Sequence, residues 1–142
     1  MWCQSVGFLP IYITVYVLFK GDYHVILGLM ITTLTVVVIK HITNMFPENS
    51  KMFQLTRRPR NASCCGILGG NKNESKKAGF PSGHAAFISY FLSSLPQESA
   101  MNNIVSICLY LITIHNRMET NCHDLLQIIS GTMVGLFVGL FV

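Results

Sequence analysis

Five blocks of apolar residues, at 8–19, 25–39, 85–95, 104–114 and 125–142, leave this chain few ways to fold. Most are separated by short polar turns such as Gly21-Asp22 and Pro96-Gln97-Glu98-Ser99. A chain of 142 residues that is 51% hydrophobic and 11% charged has too little polar material for a soluble surface, where a charged share of roughly 25% is usual. Several blocks fall short of the about 20 apolar residues that a spanning helix needs, which keeps a greasy soluble α-bundle as the alternative. Five such blocks with tight turns between them predict an all-α, integral-membrane helical bundle with about five spanning helices. The length suits a single membrane-embedded domain over residues 1–142.

The start, Met1-Trp2-Cys3-Gln4-Ser5, has neither a basic n-region nor a small-residue cleavage site, so no removable signal peptide is expected. Cys3, Cys64, Cys65, Cys108 and Cys122 show no C-x-x-C spacing and no obvious even pairing. Cys64 and Cys65 read as ordinary loop thiols, with a ligand role or a loop disulfide as alternatives. Cys108, within an apolar run, reads as a packing residue.

One polar interval is long, residues 47–79. Intervals of that length between elements are more often functional or flexible than simple connectors. Arg57, Arg60, Lys72, Lys76 and Lys77 make it basic. That charge fits either a cytoplasmic loop under the positive-inside tendency or a set of anion ligands. The tripeptides Asn61-Ala62-Ser63 and Asn73-Glu74-Ser75 are N-glycosylation sequons and point instead to a lumenal loop. Sidedness stays open between them. Counting spans puts this interval, the 116–122 turn and the N-terminus on one side, so the two informative polar segments meet at one mouth of the bundle.

Three clusters belong to that mouth. Lys51 and Arg58-Pro59 are separated by six residues; Pro81-Ser82-Gly83-His84 heads the third apolar block; Arg117 and His123 precede the last. Each alone has an ordinary explanation: Ser82 as a helix cap, Arg117 as an interfacial anchor, His123 as a helix-end histidine. Together they suit phosphoryl transfer. Lysine and bidentate arginine neutralise phosphate oxygens. A Ser-Gly turn feeding a helix offers backbone N–H groups. One imidazole can attack phosphorus while another protonates the leaving oxygen. With cations supplying the charge stabilisation, no metal and no cofactor are called for.

In this order the clusters resemble the signature of the type-2 phosphatidic acid phosphatase family, K-x6-R-P, P-S-G-H and S-R-x5-H-x3-D, over residues from about Lys40 to the C-terminus. The resemblance implies a six-helix bundle, whose last five helices the five blocks match. It also implies roles: His123 as nucleophile, His84 as general acid, and Lys51, Arg58, Ser82, Gly83 and Arg117 as the phosphate cradle. The partners it implies are a membrane and a lipid phosphate or diphosphate, with no nucleic acid.

Two positions depart from the pattern: Asn116 replaces the motif serine, and Gln127 replaces the aspartate four residues after His123. A carboxylate there would stabilise an imidazolium; an amide can orient the ring without adding charge. Asp124 is no substitute, since the next residue on a helix points about 100° away. Dolichyl diphosphate phosphatases are similar to this chain in having a Gln there, so Gln127 hints at a diphosphate lipid. Lys40, ending an apolar run, competes with Lys51 as the motif lysine, and the spacing favours Lys51. His41 beside it reads as an interfacial histidine.

The expected function is therefore a membrane lipid phosphatase or diphosphatase acting through a phosphohistidine. A phosphotransferase of the same family and a non-catalytic binder of anionic lipid or of a partner are the alternatives.

Overall fold

The structure, a computed structural model, describes residues 9–62, 78–95 and 100–142. Six helices follow one another in these segments: α1 (Leu9–Lys20), α2 (Tyr23–Asn44), α3 (Lys51–Thr56), α4 (Gly83–Ser94), α5 (Ala100–Glu119) and α6 (Leu125–Phe141). Each of the five apolar blocks forms a helix, and α3 is an extra short one inside the polar interval. Cys3, Cys64, Cys65 and the second sequon lie outside the described residues.

The first turn shows why such short connections work. Gly21 ends α1 with φ +70°, the left-handed conformation glycine adopts most cheaply. Its N–H closes on Val17 O at 3.1 Å. Asp22 then caps α2, its Oδ1 accepting from Val25 N at 3.2 Å. Two residues thus end one helix and start the next, which brings α1 back against α2. Tyr23–Asn44, with 22 residues, is about 33 Å long at the usual helical rise. Among the described residues, α2 is the one helix both long and apolar enough to cross a bilayer; α1 and α6 are apolar but shorter.

The closest packing joins α4 to α6. Gly131, Gly135 and Gly139 lie on one face of α6 at intervals of four. A methyl group on any of them would collide with Ser82 O, Ala86 O or Ser93 Oγ of the facing segment. Small residues at that spacing let two helix backbones approach closely, the packing that serves where hydrophobic exclusion from water is absent. Away from the mouth, Ile13, Val17, Val25, Leu29, Ile88, Tyr90, Phe91 and Val138 form the apolar core. Tyr90 reaches across it, over Gly28, and donates to His24 O at 3.3 Å.

The outer surface is greasy. Phe19 is 88% exposed, Leu140 80% and Leu34 65%. Cys108 lies on this surface as a free, exposed thiol, which corrects its reading as a packing residue: the helix turns its polar face inward, with Ser106 and Thr113 buried, and leaves its apolar face outside.

Candidate active site

Three segments converge at the mouth, and the sequence explains how each arrives. Ser50 caps α3, accepting from Phe53 N at 3.0 Å. Beyond α3 the chain runs extended, and Arg57 pairs with Ala78 in an antiparallel bridge. Gly79 N and Phe80 N both donate to Thr56 O, at 2.7 and 3.1 Å. Phe80–Pro81 is a cis peptide and leads into α4, whose cap is Ser82, with Oγ accepting from Ala85 N at 3.4 Å. Asp124 caps α6 in the same way, taking Gln127 N at 2.8 Å. That exposed carboxylate is therefore committed to the helix end; His123 and Asp124 both precede the helix, so it is this capping bond, and not a helical turn between the two residues, that occupies it.

Gln127 is the junction of all three clusters. Fully buried, it meets His123 Nδ1 with Oε1 at 3.1 Å. Its Nε2 donates to Arg57 O at 2.7 Å and, at a long 3.4 Å, to Leu55 O. Its main-chain carbonyl accepts from Ser82 N at 2.9 Å. Gly79 passes so close to the amide that any side chain there would strike it. Because Nε2 must face carbonyls, which only accept, Oε1 must face the imidazole. His123 therefore carries its proton on Nδ1, and Nε2 keeps its lone pair.

The cavity these segments border measures about 290 Å³. Lys40, Arg58, Gly83, His84 and His123 line it together with Pro10, Thr32, Thr33, Val36, Val37 and Phe87. Burial first, and then the charge of Lys40, push the His123 imidazole down to about 3; Arg58 and His84 add to this and the Gln127 hydrogen bond opposes it. The ring is thus neutral across the physiological range and available as a base or nucleophile.

Several expected residues fall where the motif puts them, and others do not. Arg58, Gly83, His84 and His123 line the cavity. Lys51 does not: it heads α3 with an exposed side chain, and the lysine at the cavity is Lys40. Six-residue spacing measured position along the chain. What matters is that Lys40 follows Thr32 and Val36 at intervals of four on one face of α2. Ser82 is buried behind the cavity, with its N–H given to Gln127 and its hydroxyl to the helix cap. Arg117 is 1% exposed, and its carbonyl accepts from Cys122 N at 3.0 Å and His123 N at 3.3 Å, which shapes the turn that presents His123. Arg57 is turned the other way, stacked on Phe53 at 3.8 Å and donating to Asn44 Oδ1 at 2.9 Å, so Arg58 is left to face the cavity. His41 is exposed at the end of α2.

Cys122, beside the histidine, is disulfide-bonded, and no spacing in the sequence announced it. Thr32 and the carbonyl-facing side of Gln127 were also missed. The recurrence of Thr32 and Lys40 at i and i+8 was a signal available for the first; the second needs partners about seventy residues away.

Two histidines, a lysine and an arginine thus line one cavity of an all-helical protein, close to the ends of its helices. Residues 21–142 match the family model of the PAP2 superfamily. The chain belongs to that superfamily, whose membership points to phosphatase or related activity on phosphate-containing substrates. No curated protein and no solved structure matches it.

Proposed function

We propose that this chain is a multi-pass membrane phosphatase that hydrolyses a lipid phosphate or diphosphate through a phosphohistidine. The observation that carries the reading is His123, buried and neutral, with Nδ1–H held by Gln127 and the ring on the same cavity wall as Lys40, Arg58 and His84. His123 Nε2 attacks phosphorus, the bond from phosphorus to the leaving oxygen breaks, and His84 gives that oxygen a proton. Water, losing its proton to His84, then attacks the phosphohistidine and releases inorganic phosphate. Lys40, taken here in place of Lys51, and Arg58 hold the equatorial oxygens, with the Gly83 end of α4 behind them. These cations carry the charge, so turnover is expected to persist in excess chelator; a strict requirement for added Mg²⁺ would count against this.

Three observations support the wider setting. The exposed apolar outer faces and the length of α2 favour a bundle embedded in lipid. The disulfide at Cys122 favours an oxidising compartment at the mouth, in agreement with the sequons over the basic charge. The neutral Gln127 favours a diphosphate lipid, whose leaving group departs without a strongly activated nucleophile.

The test is phosphate release by the purified protein from a polyprenyl diphosphate and from phosphatidic acid, with His123→Ala alongside. Release by the wild type and none by the variant is the expected result. Lipid binding without any release would favour the non-catalytic reading. Transfer to an added alcohol in preference to water would favour the phosphotransferase.

A further inference from the structure

The helical threonines of this protein follow a rule with one exception. Thr14, Thr33, Thr35, Thr113 and Thr132 each donate to the carbonyl four residues back, at 2.8 to 3.0 Å. Thr43 and Thr56 use the carbonyl three back, at 3.0 and 3.1 Å. Such back-bonding is how a threonine satisfies its hydroxyl inside a helix. Thr32 does not do it. Its side chain is 1% exposed and its Oγ1 is buried with no hydrogen-bond partner. A buried hydroxyl without a partner is unfavourable, and each instance asks for a reason.

Its surroundings supply one. Thr32 lines the active-site cavity, two helical turns from Lys40 on the same face of α2, with Val36 between them. Much of the rest of this cavity's lining is apolar: Pro10, Val36, Val37 and Phe87. Thr33, Val37 and Phe87 also line an adjoining cavity of about 430 Å³, which continues along Ile26, Leu29, Met30 and Leu34. A phosphate held by Lys40, Arg58 and the histidines would therefore have its hydrocarbon chain in this second space. Thr32, next in the chain to Thr33, lines the catalytic cavity about 12 Å along α2 from Lys40.

We propose that the Thr32 hydroxyl donates a hydrogen bond to an oxygen of the lipid just beyond the transferred phosphoryl group, on the leaving-group side. This rests on the phosphatase reading above. The chemistry recognised is an acceptor oxygen at the neck of an amphiphile with a single chain entering the groove. Two kinds of substrate carry one: a diphosphate, through its second phosphate, and a glycerol-type lipid, through its hydroxyl or ester oxygens. A simple alkyl phosphate has none beyond the bridging oxygen.

The experiment compares wild type, Thr32→Val and Thr32→Ser on farnesyl diphosphate, lysophosphatidic acid and dodecyl phosphate, in one detergent. Valine keeps the shape and removes the hydroxyl; serine keeps the hydroxyl. Thermal midpoints of the variants establish that each is folded. The expected result is a loss in kcat/KM of roughly tenfold for Thr32→Val, as one hydrogen bond warrants, on a lipid with a neck oxygen. Dodecyl phosphate should stay within about twofold, and Thr32→Ser should be close to wild type. A loss confined to farnesyl diphosphate identifies the second phosphate as the acceptor, and one confined to lysophosphatidic acid identifies the glycerol oxygens. An equal loss on all three lipids, or none on any, overturns the proposal. Binding of the same lipids to His123→Ala, with and without Thr32→Val, separates the two readings. If the wild type turns over no lipid, weaker binding of the neck-oxygen lipids by the Thr32→Val double variant still sustains the contact while the phosphatase reading falls.

Discussion

The two sides of α4 make an instructive pair. On one side lies the cavity shared with α2 and the mouth segments. On the other, α4, α5 and α6 enclose a cleft of about 540 Å³ lined by Ser89, Ser93, Asn103, Ser106, Tyr110 and Thr132. Each side has a buried hydroxyl without a hydrogen-bond partner, Thr32 in front and Ser89 behind. Each mixes polar and apolar side chains in its lining. The difference is formal charge and helix ends: no Lys, Arg, His or acidic side chain lines the rear cleft, and the front has two cations and two histidines next to the start of α4. Hydroxyl groups suffice to hydrogen-bond a neutral ligand or to join helices, as Tyr110 and Thr132 do at 2.6 Å. A phosphate brings charge into a low-dielectric region and needs fixed opposite charge to meet it.

If that contrast is right, its largest consequence falls on the front cations. Lys40→Ala should lower kcat/KM for a lipid phosphate by on the order of 10²-fold or more, the scale for removing one preorganised charge from a phosphoryl-transfer site. Lys51→Ala should stay within about twofold. Steady-state kinetics of the two variants side by side would reverse the assignment if Lys51 were the sensitive one.

Gln127 comes next. The motif alone would suggest that Gln127→Asp improves the site by giving His123 a charged partner. The structure argues otherwise, because an acid cannot donate to the Arg57 and Leu55 carbonyls once ionised. Gln127→Glu, which keeps the length, should lose roughly tenfold to a hundredfold in kcat, in line with one or two hydrogen bonds broken at a buried junction. Gln127→Asp should be no better. A gain in rate for either on any substrate would show that the imidazole partner outweighs the loop contact.

A smaller effect is expected from protons. His123 is held neutral in the fold down to about 3, against the 6.5 of an ordinary histidine. Below 6.5 the unfolded chain binds a proton that the folded chain refuses. The stability this residue contributes is therefore complete above 6.5 and is lost as the pH falls toward 3. The thermal midpoint in detergent should decline over that window, and His123→Gln should decline less. Equal slopes would mean that other groups set the acid sensitivity.

The smallest effect is predicted behind α4. Ser89→Ala should change neither turnover nor KM by more than about twofold, since no charge reaches that cleft. A large kinetic effect there would undo the distinction between the two sides.

Apolar blocks and short turns determined the helices, because backbone groups in an apolar setting have helix as their nearest means of satisfaction. The Gly21-Asp22 turn and the Ser82 cap were legible for the same reason: each acts through atoms within four residues. His84, His123, Arg58 and Gly83, which line one cavity, were singled out by the family signature and by their places beside an apolar block or a proline. Lys40 over Lys51, Arg58 over Arg57, the buried placement of Ser82, and the three-way role of Gln127 were decided only by tertiary structure. Each depends on which face of an element is turned toward a partner tens of residues away, and between separate elements the number of intervening residues does not encode that direction.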